Sequence, residues 1–343
     1  MPCVDADQLE SIATKILVNA GASNDEASTV AQHLVLANLS GHDSHGVIRL
    51  PQYVDEIQRG IISPGASLNV LKNWPTGATM DAGGSFGQVA CHQAMLQVLE
   101  KASQHGVAAV TLLKCGHSGR IGTYGELAAS RGMIGVIANN AGGNGQWVAP
   151  FGGRSGRLAT NPLCIAVPGP GEFPLVLDIS TCVAPEGKIR HYHQSEQQTP
   201  NGWLINADGL PTNNPALLYQ EPRGALQPLG DEAGYKGYGL AVMIDILAGA
   251  LSGAGCCRAD TSLAKGRGLI MLAIDIEVFT THKLFEESVT LLAEHIHRTP
   301  TRPGYDAVLL PGEFEFRNRQ HRSLNGIEIS SGTWKAIAEL CPP

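Results

Sequence analysis

Nowhere in the 343 residues is there an apolar run long enough to cross a bilayer. The most apolar stretch, residues 237–255, is interrupted by Asp245 and by glycines at 239, 249 and 253. It falls short of the roughly 20 apolar residues that a spanning helix needs, so no transmembrane segment and no membrane partner are expected. Charge is scarce as well, at 16% of residues, while hydrophobic residues make up 43%; that balance excludes a disordered or fibrous chain. Bases are the minority, 24 Lys and Arg against 31 Asp and Glu. The resulting net charge of −7 would repel a phosphate backbone, and no nucleic-acid partner is expected. The single basic cluster, Arg317, Arg319, His321 and Arg322, reads as a solvated face.

Familiar catalytic signatures are missing too. No G-x-G-x-x-G follows a strand-like run, and there is no G-x-x-x-x-G-K-[ST], G-x-S-x-G or H-E-x-x-H. An ordinary dinucleotide fold, a P-loop enzyme, a serine-hydrolase elbow and a zincin are therefore unsupported. His191-Tyr192-His193 and His295-Ile296-His297 each offer two imidazoles without a third ligand of obvious type, so no metal is expected. The eight cysteines form no C-x-x-C pair, and Cys256-Cys257 reads as a packing feature. With no charged-then-apolar leader ahead of Asp5, they are expected as reduced thiols in a cytoplasmic protein.

Glycine is the surplus, 41 residues or about 12% against a usual share of roughly 7%, and it implies many tight turns. The length suits two domains. Leu9, Ile12, Ala13, Ile16 and Leu17 recur at helical spacing up to Gly21, and Ser23 with Glu26 forms a capping box ahead of a second helix running to about Leu39. A polar, glycine-bracketed link over residues 40–46 feeds a third helix at 51–59. From about residue 76 short β-rich runs alternate with helices, an α/β pattern. Strands are expected at 107–113, 134–138, 164–167, 175–177 and 269–274, and helices at 89–103, 123–131, 237–251 and 282–297. Residues 187–234 show weak periodicity and are expected to run as an extended surface excursion. A linker at 300–304 and a short helix at 333–340 close the chain.

Candidate chemistry concentrates in two places. Asp43-Ser44-His45-Gly46, followed by Arg49 and Tyr53, puts an imidazole, a hydroxyl, a guanidinium and a phenol at a helix start, where Arg49 and Tyr53 share a face. The Arg fork suits a carboxylate, and a histidine with a pKa near ~6.5 moves protons at neutral pH; together they fit an α-oxo or α-hydroxy acid. A polar helix cap with a surface arginine fits the same residues equally well. The second place is Gly116-His117-Ser118-Gly119-Arg120-Ile121-Gly122, which follows a strand and opens a helix. Glycines there admit a ligand to the backbone, and unpaired helix N–H groups attract an anion such as a pyrophosphate. Asn139-Asn140, Thr160-Asn161-Pro162, Asp178-Ile179-Ser180, Lys236-Gly237 and the turn Leu310-Pro311-Gly312-Glu313 are weaker markers.

Seven motifs occur in one order: Ala37-Asn38-Leu39-Ser40-Gly41-His42-Asp43-Ser44-His45-Gly46, Gly119-Arg120-Ile121-Gly122, Ala149-Pro150-Phe151-Gly152-Gly153, Thr160-Asn161-Pro162, Asp208-Gly209-Leu210-Pro211-Thr212, Lys236-Gly237-Tyr238 and Leu310-Pro311-Gly312-Glu313. Through them the sequence resembles the type-2 malate/L-lactate dehydrogenase family over nearly its whole length. The N-terminal motif and residues 310–338 look most similar to the family's hydroxycarboxylate dehydrogenases.

The resemblance implies an oxidoreductase that moves a hydride between NAD or NADP and a 2-hydroxy acid/2-oxo acid pair of the malate, lactate or aromatic hydroxycarboxylate type. It implies a nicotinamide-binding domain that is not a Rossmann fold, a mixed β-sheet flanked by helices over residues 76–299. A smaller, mainly helical substrate and dimerisation domain would come from residues 1–75 and 300–343, in a homodimer. By the same likeness His45, with Ser44 orienting it, is the acid/base, Arg49 and Tyr53 are substrate contacts, and His117 is a second ring competing for the proton. His45, His117, Gly119, Arg120, Ile121, Asn140, Thr160, Asp178, Ile179, Ser180, Lys236, Leu310, Pro311, Gly312 and Glu313 would line the cofactor. Two alternatives stand beside this reading, a reductase of cyclic imine acids and a non-catalytic cofactor-binding relative. Lys188 stands where imine-reducing relatives carry an aspartate, which speaks against the first; the intact His45, Arg49 and His117 speak against the second. Ser118 and the stretch His191-Tyr192-His193-Gln194 depart from the family pattern.

Overall fold

The computed structural model describes residues 1–141, 143, 145–261 and 266–341. The chain opens with β1 (Cys3–Val4) and α1 (Ala6–Asn19), whose Asp5 cap accepts from the Asp7 and Gln8 N–H groups. Ser23 and Glu26 close the expected capping box on α2 (Asn24–Leu39). Two 3₁₀ turns, Asp43–His45 and Val47–Arg49, lead into α3 (Leu50–Gln58), with Pro51 in the first turn where no N–H is required. The apolar faces of these helices bury Leu9, Leu17, Leu34 and Leu50, and the same core takes in Ile327, Ile329 and Ile337 from the far end of the chain.

The sheet follows, with β2 (Asn69–Trp74), β3 (Gly77–Asp81), α4 (Gly87–His105), β4 (Val107–Cys115), α5 (Gly122–Ala129), β5 (Met133–Asn140), β6 (Leu163–Val167) and β7 (Leu175–Ile179). Next come α6 (Glu186–Gln194) and three two-residue strands, β8 (Leu204–Ile205), β9 (Pro211–Thr212) and β10 (Ala225–Leu226), which form a small sheet of their own. α7 (Tyr235–Ile244) continues as a π-helical segment, Asp245–Ala250, and β11 (Arg267–Asp275) returns to the main sheet. α8 (His282–His297), α9 (Glu313–Asn325), β12 (Ile327–Glu328) and α10 (Ser331–Leu340) complete the described chain, with β12 pairing β1.

Seven strands lie in the order β2-β3-β4-β11-β5-β6-β7, and only β3 and β4 run parallel. On one face α4 and α5 bury Met95, Leu99, Leu112, Ile137 and Met271; on the other, Ile244 and Ala248 pack on Ala138 and Ile270. A sheet covered on both faces needs apolar side chains in both directions, which is why β11 reads as a nearly continuous hydrophobic run. The fold is thus mixed α/β. Among the described residues no helix is long and apolar enough to cross a membrane.

Two sequence expectations are corrected. The excursion at 187–234 is not merely extended: it carries α6 and the small sheet, packed on a cluster that includes Val148, Ile189, Leu204 and Leu226. The basic cluster lies on α9 and is solvated in part: Arg317 and His321 are exposed, while Arg319 and Arg322 are not. Arg319 donates to Ser40 Oγ (2.8 Å) and Glu126 (2.6 Å), and Arg322 to the Asn38 carbonyl and to Asp43 (2.8 Å). These arginines bind α9 to α2 and α5.

Candidate active site

Asn38 clamps the loop between α2 and α3 onto its own helix. Its amide nitrogen donates to Asp43 (2.6 Å) and its oxygen accepts from the Val47 N–H (2.9 Å). A Cβ on Gly46 would lie 2.1 Å from Asn38 Oδ1, so the clamp requires glycine there. The loop so fixed presents Ser44, with Oγ 3.1 Å from His45 Nδ1. Arg49 is aimed by two bonds, Nε to Ser44 O (2.7 Å) and Nη1 to Gln52 Oε1 (2.8 Å). α6 leans over it, and a Cβ on Gly187 would sit 3.1 Å from Arg49 Nη2.

The second segment arrives from the sheet. β4 ends at Cys115, and the chain turns against the first turn of α4 so closely that a Cβ on Gly87 would be 2.3 Å from His117 O. His117 thereby meets His45: the rings stack with centroids 5.6 Å apart at 14°. Tyr53 reaches the same ring from α3, its hydroxyl 2.7 Å from His117 Nδ1, and Gln88 Nε2 donates to that hydroxyl over 2.7 Å. Tyr53, expected to contact substrate, is instead buried and spends its hydroxyl inside the protein. Gln88 was not foreseen, because a glutamine in the first turn of a helix looks like ordinary helix surface.

Burial and then the Arg49 guanidinium push the His45 pKa down to about 3, and the same two causes hold His117 well below the usual histidine range. Burial drives the Tyr53 hydroxyl up to about 12, against the pull of Arg49. Behind the pair, His33 is buried against Tyr124 with ring centroids 5.4 Å apart, and burial with Arg120 lowers it to about 3. The resting cluster is therefore a set of neutral rings among arginines, Arg49 beside His45 and His117 and Arg120 beside His33.

Most of the expected cofactor residues gather around β7. Asp178 Oδ2 accepts from the Gly122 N–H (2.7 Å) and lies 3.8 Å from Arg120 Nε, whose Nη1 pairs with Glu126 (2.8 Å). Gly119 has φ +70°, and a Cβ there would be 2.3 Å from His33 Nε2; Ile121 is buried beside it. Ile179 ends β7, paired with Leu163, and just beyond Ser180 the Thr181 N–H and hydroxyl both reach Thr160 O at 3.0 Å. Pro311 O accepts from the Val176 N–H (3.0 Å), with Gly312 at φ +90° and Leu310 buried in the same turn. The Glu313 carboxylate takes the Leu310 N–H, His297 and Arg317. Lys236 is exposed at the start of α7; its neighbour Gly237 abuts Leu229, whose N–H bonds Thr181 O. Asn140 stands apart and is a correction: fully buried, it donates to Asp245 (3.3 Å) and Gly255 O (3.0 Å) and accepts from the Gly268 N–H (2.9 Å). It satisfies backbone where β11 enters the sheet.

The Arg120 guanidinium fits a phosphate-bearing cofactor. Its Nη2 is buried without a hydrogen-bond partner, whereas the first N–H groups of α5 are already bonded, Gly122 to Asp178 Oδ2 (2.7 Å) and Tyr124 to Ile121 O (3.1 Å). An unpaired buried donor is costly, and on a guanidinium it favours an anion. A groove of about 530 Å³ opens beside Ser44, lined also by His42, Ile48, Gly187, Lys188 and His191. The last three come from α6, whose position the sequence did not reveal. A larger cavity of about 660 Å³, lined by Trp147, Arg154, Arg157 and Arg223, holds none of the residues described above. Among the described residues no group of three His, Cys, Asp or Glu is placed to hold a metal.

Residues 4–338 match the family described as malate/L-lactate dehydrogenase. The chain is 36% identical over 339 residues to hydroxycarboxylate dehydrogenase B of Escherichia coli strain K12, covering 98% of this chain and 92% of the relative. It is 30% identical over 332 residues to the ureidoglycolate dehydrogenase (NAD(+)) of the same strain, covering 95% and 92%. Among solved structures, the malate dehydrogenase of Entamoeba histolytica superposes with a TM-score of 0.93 at 29% identity, covering 99% of this chain and 97% of that one.

Proposed function

Because the chain belongs to the malate/L-lactate dehydrogenase family, we propose that this oxidoreductase transfers a hydride between NAD or NADP and the α-carbon of a 2-hydroxy acid/2-oxo acid pair at the His45–His117 stack. The observation that carries the reading is the juxtaposition itself: two neutral imidazoles 5.6 Å apart beside an arginine whose fork is already aimed. Of the reported relatives, one carries NAD(+) in its name, in keeping with the nicotinamide assignment. The sheet unit around β7 is the nicotinamide-binding domain and not a Rossmann fold, and the helical unit built from both chain ends supplies the substrate side.

When bound, the nicotinamide supplies or accepts the hydride. Residues 119–121 and the segments gathered on β7, from Asp178 through Ser180, with Thr160 and the turn 310–313, would hold it. Arg49 presents Nη2 to the substrate carboxylate, a charge-assisted contact that fixes the α-carbon. That carboxylate offsets the charge that, after burial, holds both imidazoles down, so binding substrate raises their proton affinity. His45, oriented by Ser44, then delivers the proton to the oxo oxygen in reduction and removes it in oxidation. His117, stacked on His45, would serve the same oxygen as a hydrogen-bond donor.

His45→Ala should slow turnover by about 10²–10⁴ while leaving reduced-cofactor binding within a few-fold. If His117→Ala behaves that way and His45→Ala stays active, the two roles are exchanged. A panel of small, dicarboxylic and aromatic 2-oxo acids, with pyrroline-2-carboxylate beside them, run with both reduced cofactors, identifies substrate and cofactor together. Turnover confined to the imine acid would replace this reading. Two further assignments belong here. The eight free thiols support a cytoplasmic setting. The exposed row Met243, Ile246, Leu247 and Leu251, running from α7 through the π-helical segment to its C-cap, supports a homodimer.

A further inference from the structure

We propose that Gln88 is a positioning residue that fixes the tautomer of His117 through Tyr53. The inference rests on the placement of His117 at the reacting oxygen given above, and extends it to a residue outside the reaction space.

The chain of contacts is short and is buried up to His117, which is itself half-buried. Gln88 is 1% exposed and Tyr53 1%, and the two bonds, Gln88 Nε2 to Tyr53 Oη and Tyr53 Oη to His117 Nδ1, are each 2.7 Å. A phenol has one proton. The Gln88 amide nitrogen donates to it, and among the described residues His117 Nδ1 is the one acceptor in reach of the Tyr53 O–H, so Tyr53 directs its proton there and a neutral His117 carries its own on Nε2. Nε2 is the edge turned away from Tyr53, so the ring offers a donor, not a lone pair, to the oxo oxygen. Placement is built into the fold: Gly87, whose Cβ would be 2.3 Å from His117 O, lets the first turn of α4 press on the His117 backbone, and Gln88 is the next residue. Gln88 Oε1 has no partner of its own. A reversed amide would use Oε1 to accept from Tyr53 and shift the His117 proton to Nδ1; the orientation of one amide thus decides which edge of the ring is a donor.

The test reads the proton directly. Long-range ¹H–¹⁵N spectra of the free, full-length protein at neutral pH, with His117 assigned by His117→Asn, should show a protonated Nε2 and an unprotonated Nδ1. Gln88→Glu, read at a pH where the new carboxyl is ionised, places an acceptor-only group against Tyr53, so His117 should become Nδ1-protonated; kcat should fall by about 10²-fold with the KM for cofactor unchanged. Tyr53→Phe keeps the buried ring and cuts the link, and in that background Gln88→Glu should no longer move the His117 signals. A wild-type His117 protonated on Nδ1, or signals indifferent to Gln88→Glu, would overturn the proposal. A shifted proton with unchanged kcat would uphold the relay and overturn instead the role given to His117. If Gln88→Glu fails to fold, Gln88→Met, which removes the donor at similar volume, should give a mixture of tautomers, and a pure Nε2–H ring would refute the assignment.

Discussion

Desolvation, and after it the Arg49 guanidinium, costs the half-buried imidazoles of His45 and His117 their protons. The charge on Arg49 has two separable consequences. Losing a charge-assisted contact worth about 1.5–3 kcal/mol, Arg49→Ala should lower kcat/KM for a 2-oxo acid by roughly ten- to a hundredfold or more, with a ketone lacking the carboxylate affected less. Equal losses on both would remove Arg49 from carboxylate binding. In the wild type, the pKa seen in kcat should lie above that in kcat/KM, since only the complex has a carboxylate against Arg49; coincident values would contradict the charge compensation. His33 and His45 also tie stability to pH. Each titrates at about 3 in the folded protein and near 6.5 unfolded. Between those values the unfolded chain binds more protons, so stability falls as pH drops below about 6.5, by up to about 1.4 kcal/mol per pH unit for each group. Urea unfolding from pH 7 to 5 should show that slope, and His33→Gln should flatten it by one group's share. The sequence displayed Ser44, His45, Arg49 and His117 because reactive side chains beside glycines stand out. It did not display Gln88, whose chemistry exists only through a tyrosine on another helix. Asn140 misled for the converse reason, since a polar strand end looks alike whether it faces a ligand or buried backbone.

Elements, not single side chains, bring the two halves of the site together, and close backbone approach is their means. At Gly87 a Cβ would collide with the His117 carbonyl at 2.3 Å, whereas at Gly332 in α10 it would meet nothing within 4 Å. Gly87→Ala should cost about 1–3 kcal/mol and depress turnover by displacing His117. Gly332→Ala should leave activity intact and raise stability by as much as about 1 kcal/mol, as alanine does in a helix. Thermal melts and initial rates on the pair check this; equal effects would mean that α4 does not set the His117 position. Apolar periodicity exposed α1, α2 and the central strands, because their stability comes from buried stripes. It could not expose α9, where Arg319 and Arg322 hold the helix through carboxylates and a carbonyl, nor α6, where Ile189 is the sole buried residue. Helices anchored by charge leave no hydrophobic stripe to read.

At the scale of the molecule, two cores share one boundary, and the histidine stack lies on it. One core joins α1, α2 and α3 to Ile327, Ile329 and Ile337; the other lies between the sheet and helices α4 and α5. His45, Arg49 and Tyr53 belong to the first side and His117 to the second. The exposed row on α7 and its π-helical continuation adds a prediction at this scale: Leu247→Asp should convert a dimer to monomers by sedimentation while leaving the fold intact, and an unchanged assembly would place the interface elsewhere. The most direct measurement of the central claim follows deuterium from reduced nicotinamide that carries it at both C4 positions, since only one of the two is transferred. The label should appear at C2 of the 2-hydroxy acid formed from a 2-oxo acid, and this transfer should slow by about 10²–10⁴ in His45→Ala while the cofactor still binds. A purified protein that oxidises neither reduced cofactor with any member of the acid panel, or that forms product without deuterium at C2, would contradict it.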